Sequence, residues 1–91
     1  MGWSCSKAAS EVMEKWEKAC RDDTGSQNTY TVNGNRYFFE VSRREHHDGA
    51  ITGTIQKFIG ETHARIVSSF RIEGNGTITR GPKILKDANK K

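Results

Sequence analysis

The chain has 91 residues, 33% of them hydrophobic, and a formal net charge of +4, which allows one small domain and leaves no room for a second. Isoleucine and valine together greatly outnumber leucine, and their branched side chains favour pleated sheet over helix. No apolar run is long enough to cross a membrane, and the first nine residues lack the apolar stretch of a secretory signal. We therefore expect a cytoplasmic protein that does not associate with membranes.

A helix is predicted from Ser6 to Arg21, because apolar residues there recur at spacings of three and four and so share one face. These residues are Ala9, Val12, Met13, Trp16, Ala19 and Cys20. The following stretch, Asp22–Asn28, collects polar residues and glycine that accept turn geometry, so the helix is expected to end before it.

A β-hairpin is predicted over Asn28–Val41, with a two-residue turn at either Asn33-Gly34 or Gly34-Asn35. Both turns leave the same alternating side chains on one face of the hairpin. These are Tyr30, Val32, Tyr37, Phe39 and Val41. Phe38 falls on the opposite face.

Three further strands are predicted, over Ile51–Ile59, Arg65–Ile72 and Thr77–Arg80. Alternation groups Ile51 with Ile55 and Ile59, Ile66 with Phe70 and Ile72, and Ile78 with Ile72. Gly53 within the first of these strands predicts a bulge or the close approach of a neighbouring group. The result is an α+β fold in which one N-terminal helix packs on a four- to five-stranded antiparallel meander sheet. Residues 1–86 form this single domain, and residues 87–91 form a polar basic tail.

Two aromatic residues, Phe38 and Phe58, fall at positions that face away from the predicted helix. Apolar groups on the outward face of a small sheet with exposed edges are typical of a contact surface. We therefore expect the protein to form a homo-oligomer that covers this second face.

The positive charge is concentrated at the C-terminal end, where residues 80–91 hold five basic side chains and one acid, a net charge of +4. Arg80 and Lys83 belong to this run. Such a run predicts an acidic partner, most simply one that carries phosphate. The alternative is a solvated tail that keeps the protein in solution and binds nothing.

The densest group of titratable side chains lies in Ser42–Gly49, between two predicted strands. Arg43 and Arg44 offer forked donors that match phosphate oxygens, His46 can add a donor or stack on a base, and the Thr52 hydroxyl gives a neutral phosphate contact. Together with Arg80 and Lys83, these residues are the predicted ligand-binding set. The alternative is a solvated connection whose arginines pair with Glu45 and Asp48.

Catalysis and metal binding are disfavoured by the same segment. Adjacent residues on a strand point to opposite faces, so His46 and His47 cannot act together as acid and base without an irregular loop or the help of His63. No standard zinc spacing is present. We expect neither enzymatic activity nor a cofactor.

The only two cysteines are Cys5 and Cys20, and Cys20 lies on the apolar face of the predicted helix. Without a signal peptide, two cysteines are more often free thiols, although a disulfide between them stays an alternative. Cys20 is expected to belong to the core.

The chain resembles a group of small, largely uncharacterised phage and prophage accessory proteins. The resemblance rests on Met1-Gly2-Trp3-Ser4-Cys5, Ser42-Arg43-Arg44-Glu45-His46, Asp48-Gly49-Ala50-Ile51-Thr52-Gly53-Thr54-Ile55, Phe70-Arg71-Ile72-Glu73-Gly74 and Arg80-Gly81-Pro82-Lys83. It implies a phage protein at work in a bacterial host cell, and it implies no reaction. Some phage proteins of this size act as sponges for nucleotide signals of antiviral defence, so the analogy is one of size and source.

Three functions follow as hypotheses. The first is an anti-defence protein that sequesters a phosphate-bearing nucleotide signal. The second is a small nucleic-acid-binding accessory protein whose basic C-terminal segment follows the phosphate backbone. The third is an inhibitor that blocks a host protein through surface contacts.

Overall fold

A computed structural model of the chain describes residues 4–20 and 28–81. Over these residues the chain order is α1 (Lys7–Ala19), β1 (Thr29–Val32), β2 (Asn35–Arg43), β3 (Ile51–Ile59), β4 (His63–Ile72) and β5 (Ile78–Arg80). The five strands form one antiparallel sheet in the order β1-β2-β3-β4-β5, so each strand pairs with its neighbour in the chain. The predicted α+β fold, with an N-terminal helix and a meander sheet, is confirmed.

Helix α1 begins at Lys7 because Ser6 acts as its N-cap. The Ser6 hydroxyl accepts a hydrogen bond from the Ala9 amide at 3.0 Å, which satisfies one of the donors that a helix start leaves open. The helix ends at Ala19, and Cys20 follows as the C-cap with its amide bonded to the Trp16 carbonyl. The predicted range was therefore one residue too long at the start, and Arg21 lies outside the described residues.

The core lies between α1 and one face of the sheet, and three aromatic rings form its centre. The Trp16 ring packs edge-on against Phe39 and Phe70, with ring centroids 6.0 and 5.3 Å apart. Edge-to-face pairs of this kind add about 0.5–1.5 kcal/mol beyond the area they bury. The prediction that Trp16, Phe39, Phe70 and Cys20 are core residues is confirmed, since each is at most 2% exposed. Ala19 was also placed on the apolar face, and it is exposed.

The first hairpin turns at Asn33-Gly34, one of the two predicted turns. Val32 pairs with Asn35, and both turn residues have positive φ, 51° at Asn33 and 79° at Gly34. A turn of type I′ needs positive φ at both positions, and Asn-Gly supplies it at low steric cost. The turn therefore fixes the register of β1 on β2.

Gly53 is a close-approach glycine, as predicted. A Cβ atom at this position would overlap the Phe70 ring and the carbonyl oxygen of Glu40. The missing side chain thus allows a core aromatic ring to lie directly on the middle of β3.

Three β-bulges change which side chains face outward. The extra residue is Ser42 where β2 pairs with β3, Val67 where β3 pairs with β4, and Thr79 where β4 pairs with β5. Each bulge inverts the alternation on the residues beyond it. Ile66 therefore lies on the opposite face from Phe70 and is 63% exposed, so its predicted place in the core was wrong.

Ile59 keeps the alternation of Ile51 and Ile55, but it lies near the end of β3 and is 48% exposed. The helix covers the sheet only over the other half of β3, where Ile51 and Ile55 are buried. The two-stranded end of β3 and β4 thus extends beyond the core.

Candidate functional site

The sheet face that points away from α1, here called the outer face, carries a line of three arginines and one threonine across four strands. Thr52 lies between two inward-facing residues of β3 and therefore points outward. Its pairing partners are Arg43 on β2 and Arg71 on β4, and Arg71 in turn pairs with Arg80 on β5. Residues that pair across strands share a face. These four residues are the arginine row, which spans about 14 Å at the usual strand spacing.

The β2–β3 connection folds against this row. His46 Nε2 lies 3.2 Å from Thr52 Oγ1, and the His46 carbonyl accepts a hydrogen bond from the Gly49 amide at 3.0 Å. Arg43 Nε donates to the Glu45 carbonyl at 2.8 Å, which orients the guanidinium beside the loop. The loop is thus an ordered turn that adds an imidazole to the row.

Arg71 is held by two carboxylates. Its Nη2 lies 2.6 Å from Asp48 Oδ2, and its Nε donates to Glu73 Oε2 at 2.9 Å. The Thr79 hydroxyl also donates to Glu73 Oε2, at 2.8 Å. Arg71 therefore braces the β2–β3 loop against the β4–β5 turn, and its charge is balanced locally.

These contacts shift the ionisation of the two acids. The Ala50 amide, which donates to the Asp48 carboxylate, and then Arg71 lower the pKa of Asp48. Hydrogen bonds from Arg71 and then from Thr79 lower the pKa of Glu73. Both carboxyl groups therefore stay ionised to a lower pH than ordinary carboxyl groups, and both are charged at neutral pH.

The structure brings together four of the six predicted ligand-binding residues, namely Arg43, His46, Thr52 and Arg80. Arg44 lies apart from them, because the bulge at Ser42 places Arg43 on the outer face. Arg44 Nη2 is instead 4.0 Å from Glu17 Oε1 of α1. Lys83 and the basic tail at 87–91 lie outside the described residues.

Sequence reasoning missed Arg71 as part of the site. The signal was present, because Arg71 lies between Phe70 and Ile72, which both face the core, and must therefore point outward. Placing Arg71 next to Thr52 also requires the register of β3 on β4, which only the structure supplies.

A second feature is the aromatic depression, a shallow hollow of about 450 Å³ along β2 that is lined by residues of both sheet faces. Its lining residues are Asn28, Thr29, Phe38, Phe39, Glu40, Val41, Arg44 and Phe58. The Phe38 and Phe58 rings lie 5.0 Å apart, and Arg36 Cζ lies 5.1 Å from the centre of the Phe58 ring. The outward orientation predicted for both phenylalanines is thus found.

The described part of the chain also bears on metal binding, on the thiols and on membrane spans. Among residues 4–20 and 28–81, no three His, Cys, Asp or Glu side chains gather to hold a metal ion. Cys5 and Cys20 are both free thiols, and burial raises the pKa of Cys20 to about 11. Within the same ranges, no helix has the length and apolar character needed to cross a membrane.

Comparisons of the chain with protein-family models, with curated proteins and with solved structures gave no match. The resemblance to phage accessory proteins therefore stays a prediction. The function has to be argued from the chemistry of the outer face.

Proposed function

We propose that this protein binds and sequesters a phosphate-bearing small ligand at the arginine row and does not transform it. The observation that carries the proposal is the placement of Arg43 and Arg80 on either side of Thr52 and Arg71, on one exposed line of the sheet. Guanidinium forks match phosphate oxygens, and hydroxyl and imidazole groups add further contacts. Because the row is built on paired strands, its cations are spaced by the sheet itself.

The binding role fits the rest of the site better than catalysis does. Asp48 and Glu73 are engaged by Arg71, and His46 contacts Thr52, so the acids that line the row serve to brace it.

In keeping with the resemblance, we propose a phage accessory protein that captures a nucleotide signal of bacterial defence in the cytoplasm. We also propose that it works as a homo-oligomer, since Ile66 and Val67 are 63% and 46% exposed.

Titration calorimetry of the full chain with inorganic pyrophosphate tests the row directly. Replacing Arg43 or Arg80 by Ala should weaken binding about tenfold or more, because a hydrogen bond to a charged group contributes about 1.5–3 kcal/mol. The matched control is Arg65→Ala. Arg65 is also exposed, but it pairs with Lys57 on the face that α1 packs against. Equal affinity in all three variants would exclude the row as the anion site.

The physiological ligand can be found by native mass spectrometry of protein purified from cells with and without nucleotide-signalling defence enzymes. A retained mass of several hundred daltons, present only in the first sample, supports sequestration. A bare protein in both samples argues against it.

Nucleic acid is the second candidate partner, favoured because the basic run begins in the row at Arg80 and the same face carries the half-buried Phe38 and Phe58. A backbone binder loses affinity steeply as salt is raised and accepts many sequences. A small-ligand binder instead shows a fixed stoichiometry and no dependence on oligonucleotide length. Binding of labelled oligonucleotides across a salt series therefore separates the two.

A further inference from the structure

We infer that the aromatic depression is a nucleobase site, and that the ligand is a nucleoside phosphate whose base carries an exocyclic amino group. The inference deepens the proposed function and rests on it for the phosphate end only. The base end involves residues outside the arginine row.

The depression offers a stacking surface. Phe38 and Phe58 are half-buried, their rings are tilted by 41° at a centroid distance of 5.0 Å, and they lie on the face away from α1. The guanidinium of Arg36 lies over the Phe58 ring at 5.1 Å. Aromatic rings and guanidinium planes are the groups on which proteins stack bases. The pair therefore provides an apolar aromatic surface with a cationic side.

Two polar groups of the depression are hydrogen-bond acceptors, while the Arg44 guanidinium that also lines it lies 4.0 Å from Glu17 of α1. Asn28 Oδ1 is buried and has no hydrogen-bond partner among the described residues, which is uncommon for a buried polar atom. The exposed Glu40 carboxylate lines the same hollow and also only accepts hydrogen bonds. Two acceptors beside a stacking surface select a ligand edge that donates. Adenine, cytosine and guanine present an amino group, and uracil does not.

The depression and the arginine row lie within reach of one ligand. Glu40 pairs with Thr54, which is two residues along β3 from Thr52, a separation of about 7 Å. A nucleoside with a pyrophosphate chain can cover this distance, and inorganic phosphate cannot. The Glu40 carboxylate repels phosphate, so it also orients the ligand with its base in the depression and its phosphates at the row.

The test is titration calorimetry of the full chain with ADP, GDP, CDP and UDP, and separately with inorganic pyrophosphate and adenosine. The three diphosphates with amino-bearing bases should bind about tenfold or more tightly than UDP. Phe58→Leu, or Phe38→Leu, should weaken ADP binding about fivefold or more and leave pyrophosphate binding unchanged. Glu40→Gln should reduce the preference over UDP, since an amide presents one acceptor oxygen instead of two.

The matched control is Ile59→Ala, which changes an exposed apolar side chain near the end of β3 that does not line the depression. Circular dichroism shows whether each variant is folded, and either phenylalanine variant is sufficient if the other is not. Equal binding of UDP and ADP, or an affinity for ADP that neither phenylalanine affects, would overturn the inference and leave the anion site standing. Adenosine binding that Phe58→Leu abolishes, without any pyrophosphate binding, would support the base site and refute the proposed function. Absence of binding by every probe overturns both.

Discussion

Replacing Gly53 by Ala should destabilise the protein strongly, because the added methyl group has no space on either side. It would overlap the Phe70 ring and the Glu40 carbonyl oxygen. Neither group can yield easily, since the ring is fully buried with its centroid 5.3 Å from that of Trp16, and the carbonyl belongs to the backbone of β2. Overpacking typically costs 1–3 kcal/mol, and two rigid neighbours place Gly53→Ala at the upper end, about 3 kcal/mol.

For a domain of this size each 1 kcal/mol lowers Tm by about 4–8 °C, so we expect a decrease of about 12–24 °C by differential scanning calorimetry. The matched control is Gly34→Ala. Gly34 has a φ of 79° and nothing within 4 Å of an added Cβ, so only backbone strain of about 1–2 kcal/mol applies. If Gly53→Ala costs no more than Gly34→Ala, the close packing of β3 against Phe70 is refuted.

Two further predictions concern the brace and the thiols. Because the folded state lowers the pKa of Asp48 and Glu73, their pairing with Arg71 stabilises the protein above the ordinary carboxyl pKa and is lost as the pH falls through the lowered values. Thermal unfolding from neutral to acid pH should therefore depend less on pH in Arg71→Ala, and an unchanged profile would contradict the brace. Burial raises the pKa of Cys20 to about 11, so iodoacetamide at mildly alkaline pH should label the half-buried Cys5 first and Cys20 only on unfolding. Mass spectrometry of the labelled protein measures both rates, and equal labelling of the folded chain would contradict the burial of Cys20.

The parts of the fold that were predictable depend on local chemistry. The Asn33-Gly34 turn follows from the positive φ that both residues accept, and the helix follows from apolar residues at spacings of three and four. Gly53 was recognisable because a glycine interrupts an otherwise alternating strand. In each case the residues that decide the structure are neighbours in sequence.

The bulges were not predictable from the sequence, and they determine which side chains belong to the site. Without the extra residue at Ser42, simple alternation from Val41 would turn Arg43 toward the helix and Arg44 outward. The structure has the reverse, with Arg43 opposite Thr52 and Arg44 beside Glu17. A bulge is set by how the strands and the helix fit together. The residue types at Ser42, Val67 and Thr79 do not predict it. The residue types therefore predict an arginine-rich site. Which arginines belong to it depends on the strand register.

The N-terminal cap has a consequence for rigidity. Ser6 donates its amide to the Gly49 carbonyl at 2.9 Å and its hydroxyl to the Gly74 carbonyl, so one residue ties α1 to the two loops that carry Asp48 and Glu73. Amide protons around the arginine row should therefore exchange slowly, and those at the exposed end of the β3–β4 hairpin should exchange first. In the proposed binding role, a surface that is already ordered loses little conformational entropy when a ligand binds. Its affinity is therefore higher than that of a flexible loop with the same contacts.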